Sequence, residues 1–140
     1  MVARDHTGTP IKAWIKTCCK CLPAQAEAAV VLWAINLALA ERWTKVVIEG
    51  DVKECFDALS DPGLQPSWVI SNFVCDILAL SRAFCIVSFV WVRRVCNFVA
   101  HCAAKLALRT HCFMSFLTDS LLVKLLKVCK ADFPHCSDLF

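Results

Sequence analysis

The sequence predicts an α/β fold, a mixed sheet flanked by helices, and three observations carry that prediction. A strand–turn–strand pair opens the chain, and a long apolar helix then leads through a short turn into a β-branched run. The whole pattern reads strand, strand, helix, strand, helix, helix, strand, helix. The helix and strand at the centre of this order occupy residues 22–51, LPAQAEAAVVLWAINLALAERWTKVVIEGD. From 28 to 40 only Asn36 is polar, so other elements are expected to cover this helix on nearly every side. Lys45-Val46-Val47-Ile48 is the kind of run expected mid-sheet with both faces covered. Two carboxylates bracket the unit, Glu27 near the helix start in an alanine-rich surround and Asp51 just past the strand. Ligands of open sheets bind beyond the carboxyl ends of strands. A carboxylate held among apolar residues needs a cation, a hydrogen-bond partner or a proton. Glu27 and Asp51 are therefore the first candidates for a site.

The remaining elements follow in order. Residues 1–4 and 10–16 form a hairpin around the turn signal Asp5-His6-Thr7-Gly8. In its second strand Ile11, Ala13 and Ile15 share one face, while Lys12, Trp14 and Lys16 share the other, as in a half-buried edge strand. Residues 17–22 are a loop, and Pro23 suits the first turn of the long helix. Residues 52–59 read as a short helix with Cys55, Phe56 and Leu59 inward, closed by Asp61-Pro62-Gly63. A helix over 68–82, capped by Ser67, turns Ile70, Phe73, Val74, Ile77 and Leu78 inward, with Asn72 and Asp76 elsewhere. Residues 83–92 are a β-forming run ended by Arg93-Arg94. A helix over 97–108 places Asn97, His101 and Lys105 on one stripe, against Phe98, Cys102 and Leu106 on another. Residues 109–140 are a C-terminal helical tail whose amphipathic part is 120–130.

Composition narrows the class. The 140 residues allow one domain, here 1–108 plus the tail, and no second full domain. With 59% hydrophobic and 19% charged residues, disorder is excluded. The apolar run 28–40 is shorter than the roughly 18 residues a membrane helix needs, and MVARDHTGTP lacks the apolar core of a secretory signal. The expectation is an intracellular protein, cytoplasmic or nuclear, with no membrane partner. Its eleven cysteines should remain thiols, with Cys55, Cys75, Cys85 and Cys102 in core positions. A net charge of +3 is compatible with nucleic acid without demanding it.

Four collinear pieces across residues 1–108 carry a resemblance: VARDHTGTPI, PAQAEAAVVLWAINLA, VVIEGDVKECFDAL and VSFVWVRRVCNFVAHCAAKLAL. The chain resembles the ribonuclease H-like domain that plant genomes encode in many copies, often called reverse-transcriptase-like. That resemblance implies nucleic-acid binding and cleavage of the RNA strand of an RNA–DNA hybrid, by four carboxylates holding two Mg2+ ions. The helix glutamate of the family falls on Glu27, its strand-end aspartate on Asp51 and its last aspartate on His101, where an imidazole is a poorer Mg2+ ligand but can shuttle protons. The family's central first strand, with its aspartate, lies upstream of the hairpin, so the chain reads as an N-terminally truncated copy; Asp5 does not match the motif. The resemblance thus implies impaired catalysis by Glu27, Asp51 and His101, Mg2+ on Glu27 and Asp51, and a possible strand-donating partner chain.

Simpler readings stand beside these. Glu27 is also placed to complement the helix dipole, Asp51 to cap the following helix, and Asn97, His101 and Lys105 to form a solvated face. Lys12, Trp14, Arg93, Arg94 and Asn97 are the candidate nucleic-acid contacts, although edge protection and strand termination account equally well for the first four. Cys18 and Cys21 with His111-Cys112 and His135-Cys136 make a weak zinc pattern. The alternative functions are a non-catalytic nucleic-acid or protein interaction module, or a truncated gene product.

Overall fold

The computed structural model describes residues 1–17, 21–61, 63–110 and 114–117. It is mixed α/β, in the order β1 (Val2–Arg4), β2 (Pro10–Ile15), α1 (Pro23–Ala40), β3 (Lys45–Gly50), α2 (Lys53–Ser60), α3 (Ser71–Ser81), β4 (Ile86–Trp91), α4 (Phe98–Thr110) and β5 (Met114–Leu117). A 3-10 turn over Arg94–Asn97 leads into α4. The chain divides into two compact units, Met1–Cys18 with Phe98–Phe140, and Cys19–Asn97.

In the first unit β1 and β2 pair antiparallel as the hairpin the sequence predicts, with Val2 opposite Ala13. Gly8 supplies the positive φ of 86° at its turn. Ala13 and Ile15 are buried against Cys102, Ala103 and Ala107 of α4. The expected alternation breaks at Trp14, which is only 3% exposed and carries the Lys12 ammonium 5.2 Å from its ring centroid. A large indole gains more from burial than strand periodicity alone suggests. The segment read as a helical tail contains a strand instead, since β5 pairs with β2, Phe116 opposite Ala13. The open edge of β2 decides this, and no local pattern at 114–117 reports it. Residues 120–130 lie outside the described residues.

In the second unit β3 and β4 form a parallel ladder, Val47 opposite Ser88 and Gly50 opposite Trp91. Its core joins Ala28, Val31, Ile35 and Ala38 of α1 to Cys55, Phe56 and Leu59 of α2 and Val74 and Ile77 of α3. Each large side chain fully buried here, Phe56 or Ile35 for example, contributes about 1.5–3 kcal/mol. α1 starts at Pro23 as predicted and ends in a Schellman turn: Trp43 N–H donates to Ala38 O at 3.0 Å and Arg42 N–H to Leu39 O at 3.0 Å, with Arg42 at φ 58°.

Expectations for α1, β3, α3 and two cysteines are corrected in this unit. α1 buries one stripe rather than every side, with Val30 at 37% exposure, and by length and composition alone it is long and apolar enough to cross a membrane. β3 is covered on one face: Val46 and Ile48 pack inward, while Val47 is 63% exposed. A β-branched run signals extended backbone, and only its neighbours decide how many faces are covered. α3 begins at Ser71, after a turn that leaves Trp68 87% exposed. Among the described cysteines Cys55 and Cys102 are buried as expected, but Cys75 and Cys85 are exposed.

Candidate functional site

α1 and β3 bring Glu27 and Asp51 together. Glu27 lies one turn into α1, past its first turn, which holds no acid, so the dipole reading does not describe it. Its carboxyl lies against the Gly50 and Asp51 backbone. The approach depends on Gly50, the last residue of β3, because a Cβ there would overlap both Glu27 Oε1 and the Phe56 ring. Glycine is required at this position for space rather than for φ.

The electrostatics follow from that enclosure. Burial is the main cause that pushes the Glu27 carboxyl above its ordinary range; the nearby Asp51 charge adds to it, and the Asp51 N–H opposes it. The same surround drives the buried Cys55 thiol up to about 12, by desolvation first and then by the Glu27 and Glu54 charges. Cys55 is therefore a protonated wall of the site rather than a thiolate ligand or nucleophile.

Asp51 is held from the other strand. α2 takes Val52 as its N-cap and no side chain caps it, so Asp51 is not the helix cap of the simpler reading. Asn97 Nδ2 donates to Asp51 Oδ1 at 2.9 Å, and Trp91 Nε1 donates to the Asp51 carbonyl at 3.2 Å. Val92 N–H donates to Gly50 O at 2.9 Å. Because β3 and β4 are parallel, their carboxyl ends coincide, and that register delivers Trp91 and the turn behind it to Asp51.

The other sequence-predicted residues separate into groups. Arg93 and Arg94 are exposed just past β4. Asn97 is partly buried in the 3-10 turn and bonded to Asp51, which breaks the stripe read through His101 and Lys105. Lys12, Trp14 and His101 belong to the first unit, where His101 is partly buried on α4. Cys18, His111, Cys112, His135 and Cys136 lie outside the described residues. Sequence reasoning missed Gly50 and Trp91. The Glu-Gly-Asp order at a strand end was the available signal for the first, and the tryptophan directly before the arginine pair was the signal for the second. An open depression lined by Lys53, Asp57, Ser60, Asp61 and Leu64 contributes neither carboxylate of the pair.

Among the described residues no group of three or more His, Cys, Asp and Glu could hold a metal ion. The donors at this strand end are two carboxylates, a hard oxygen set suited to Mg2+, which protein sites often bind through one or two carboxylates while waters and substrate phosphates complete the shell. Bringing two like charges together under partial burial is also the arrangement a divalent cation relieves.

The family model described as reverse transcriptase-like matches residues 1–107. No curated protein matches the sequence. Among solved structures, the chain is similar to ribonuclease H1 of the halophilic archaeon Halobacterium salinarum, with a TM-score of 0.68 and 19% identity over 77% of this chain and 82% of that one. At that identity the likeness shows the fold alone.

Proposed function

From the premise that this chain belongs to the reverse transcriptase-like family, we propose that it binds nucleic acid and hydrolyses the RNA strand of an RNA–DNA hybrid in the presence of Mg2+. The observation that carries the reading is the half-buried Glu27–Asp51 pair at the carboxyl end of β3. The archaeal ribonuclease H1 of like fold adds to it by analogy only.

Glu27 and Asp51 would hold the cation, whose charge, when it is bound, lowers the pKa of a water and stabilises the leaving oxygen. The chain's own residues set the geometry. Gly50 leaves room for Glu27 beside Asp51, and Asn97 and Trp91 fix Asp51. Arg93 and Arg94, exposed beside this end of the sheet, are suited to phosphates of the bound strand. In the overall reaction water adds to phosphorus, the bond to the leaving sugar oxygen breaks, and that oxygen takes a proton. Two carboxylates offer less charge than four, so cation binding and turnover are both weak in this reading.

A second reading, a non-catalytic nucleic-acid module, draws on the absence of a larger ligand cluster among the described residues. The test is incubation of a labelled RNA–DNA hybrid with the protein in Mg2+ and in EDTA. The expected result is slow cleavage confined to the RNA strand, abolished by EDTA, Glu27→Gln or Asp51→Asn. Binding without cleavage supports the second reading, and neither binding nor cleavage overturns both.

A further inference from the structure

We propose that Asn97 is a positioning residue for Asp51 rather than a contact for nucleic acid; its use in catalysis rests on the cation reading of the Glu27–Asp51 pair. The motivating observation is the 2.9 Å bond from Asn97 Nδ2 to Asp51 Oδ1, across 46 residues of sequence. It closes a set of three. Val92 N–H to Gly50 O and Trp91 Nε1 to the Asp51 carbonyl lock the backbone around Asp51, and the Asn97 amide reaches the carboxylate itself. An aspartate side chain has two torsions, so an Oδ1 held by a fixed donor sets the plane of the whole group.

The donor is itself fixed. Asn97 ends the 3-10 turn Arg94–Asn97, whose start is pinned by Cys96 N–H donating to Arg93 O at 2.8 Å. Asn97 is partly buried, whereas Arg93 and Arg94 are exposed. The turn therefore divides its labour, with cations outward and amide inward. A carboxamide suits the inward place because it donates to a carboxylate without adding charge. Hydrogen-bonded supports of this kind typically change metal affinity by about 10- to 100-fold when removed.

The test uses Asn97→Leu, which keeps the volume and removes the donor, together with Asn97→Ala. Mn2+ serves as the probe cation and is titrated by its electron paramagnetic resonance signal; nucleic-acid affinity is measured separately in EDTA. The expected result is Mn2+ affinity reduced about 10- to 100-fold, with hybrid affinity in EDTA within twofold of the parent. Loss of hybrid affinity in EDTA with unchanged Mn2+ affinity would overturn the proposal. A second readout does not depend on the cation: the Asn97 side-chain amide NMR signals should move in Asp51→Ala and stay in place in Asp5→Ala. Amide signals that ignore Asp51→Ala sink the positioning role, whatever the metal does. A parent protein that binds no Mn2+ but shows the amide shift sinks the cation reading and leaves the positioning role standing.

Discussion

Two aspartates end strands in this chain, and they are used in opposite ways. Asp5, after β1, is consumed by its own turn. Its Oδ1 accepts from Thr7 N–H at 2.8 Å, Thr7 Oγ1 at 2.6 Å and Thr9 N–H at 3.0 Å. Asp51, after β3, is gripped from far along the chain by Asn97 and Trp91, and a second carboxylate, that of Glu27, lies near it. A strand-end aspartate bonded within four residues stabilises a loop. One bonded across 40 or more residues is oriented by the fold rather than by its own loop. Span, rather than position at a strand end, distinguishes the two acids here.

The largest test of this contrast is made on glycines. Gly50→Ala places a methyl group where Glu27 Oε1 and the Phe56 ring sit, and should cost about 3 kcal/mol through overpacking while displacing Glu27. Gly8→Ala meets nothing within 4 Å and carries only the strain of its positive φ, about 1 kcal/mol. Thermal melts of both variants decide the matter; equal losses would break the comparison.

Next comes activity. Asp51→Ala should reduce Mg2+-dependent hybrid cleavage by at least about 100-fold, and Asp5→Ala should leave it within twofold. An Asp5 variant as inactive as the Asp51 variant would show that the turn acid is also part of the site.

The two regions also respond to pH with opposite signs. Hydrogen bonding, chiefly from the Thr7 hydroxyl, lowers the Asp5 carboxyl below 3.8, so its contribution is present above that pH and is lost as pH falls through the folded value. Glu27 is raised above 4.5, chiefly by burial, so the folded state binds the extra proton and stability falls as pH rises from 4.5 through the folded value. Denaturation of Glu27→Gln across this range should lack that fall. Asp5→Asn should lack the acid-side loss.

The smallest effect concerns thiols. At pH 8 an alkylating reagent should modify Cys21, Cys75, Cys85 and Cys96 well before Cys55, which is buried and held protonated up to about 12 by the surround that raises Glu27. Mass spectrometry of partially labelled native protein reads the order. Early labelling of Cys55 would mean that the enclosure around Glu27 is open.

Much of this was legible before any coordinates. Glu27 and Asp51 stood out because charged residues interrupt apolar runs at element ends, and the hairpin, α2 and β4 followed from turn chemistry and period. What failed was coverage. Periodicity orders residues around an element but does not say what lies over each face. The pattern therefore puts Trp14 outside, yet it is buried, and Cys75 and Cys85 inside, yet they are exposed. The strand Met114–Leu117 lies inside the stretch expected as a tail, since its pairing partner is about a hundred residues away and no local signal reports it. Trp91 and Asn97 were invisible as supports of Asp51 for the same reason, since their bonds span 40 and 46 residues.

The parallel pairing of β3 with β4 also bears on how this chain tolerates change. Gly50 sits opposite Trp91 whatever path joins the two strands, because the ladder and not the connection sets their register. The excursion through α2 and α3 can therefore lengthen at its exposed loop near Gly63, Leu64 and Gln65 while the grip on Asp51 stays in place. A single-residue insertion within β4 is different in kind. It would exchange the inward Val87 and Phe89 for their outward neighbours and carry Trp91 and Asn97 out of step with Asp51. The site is buffered against growth of its loops and exposed to one-residue errors in its strands.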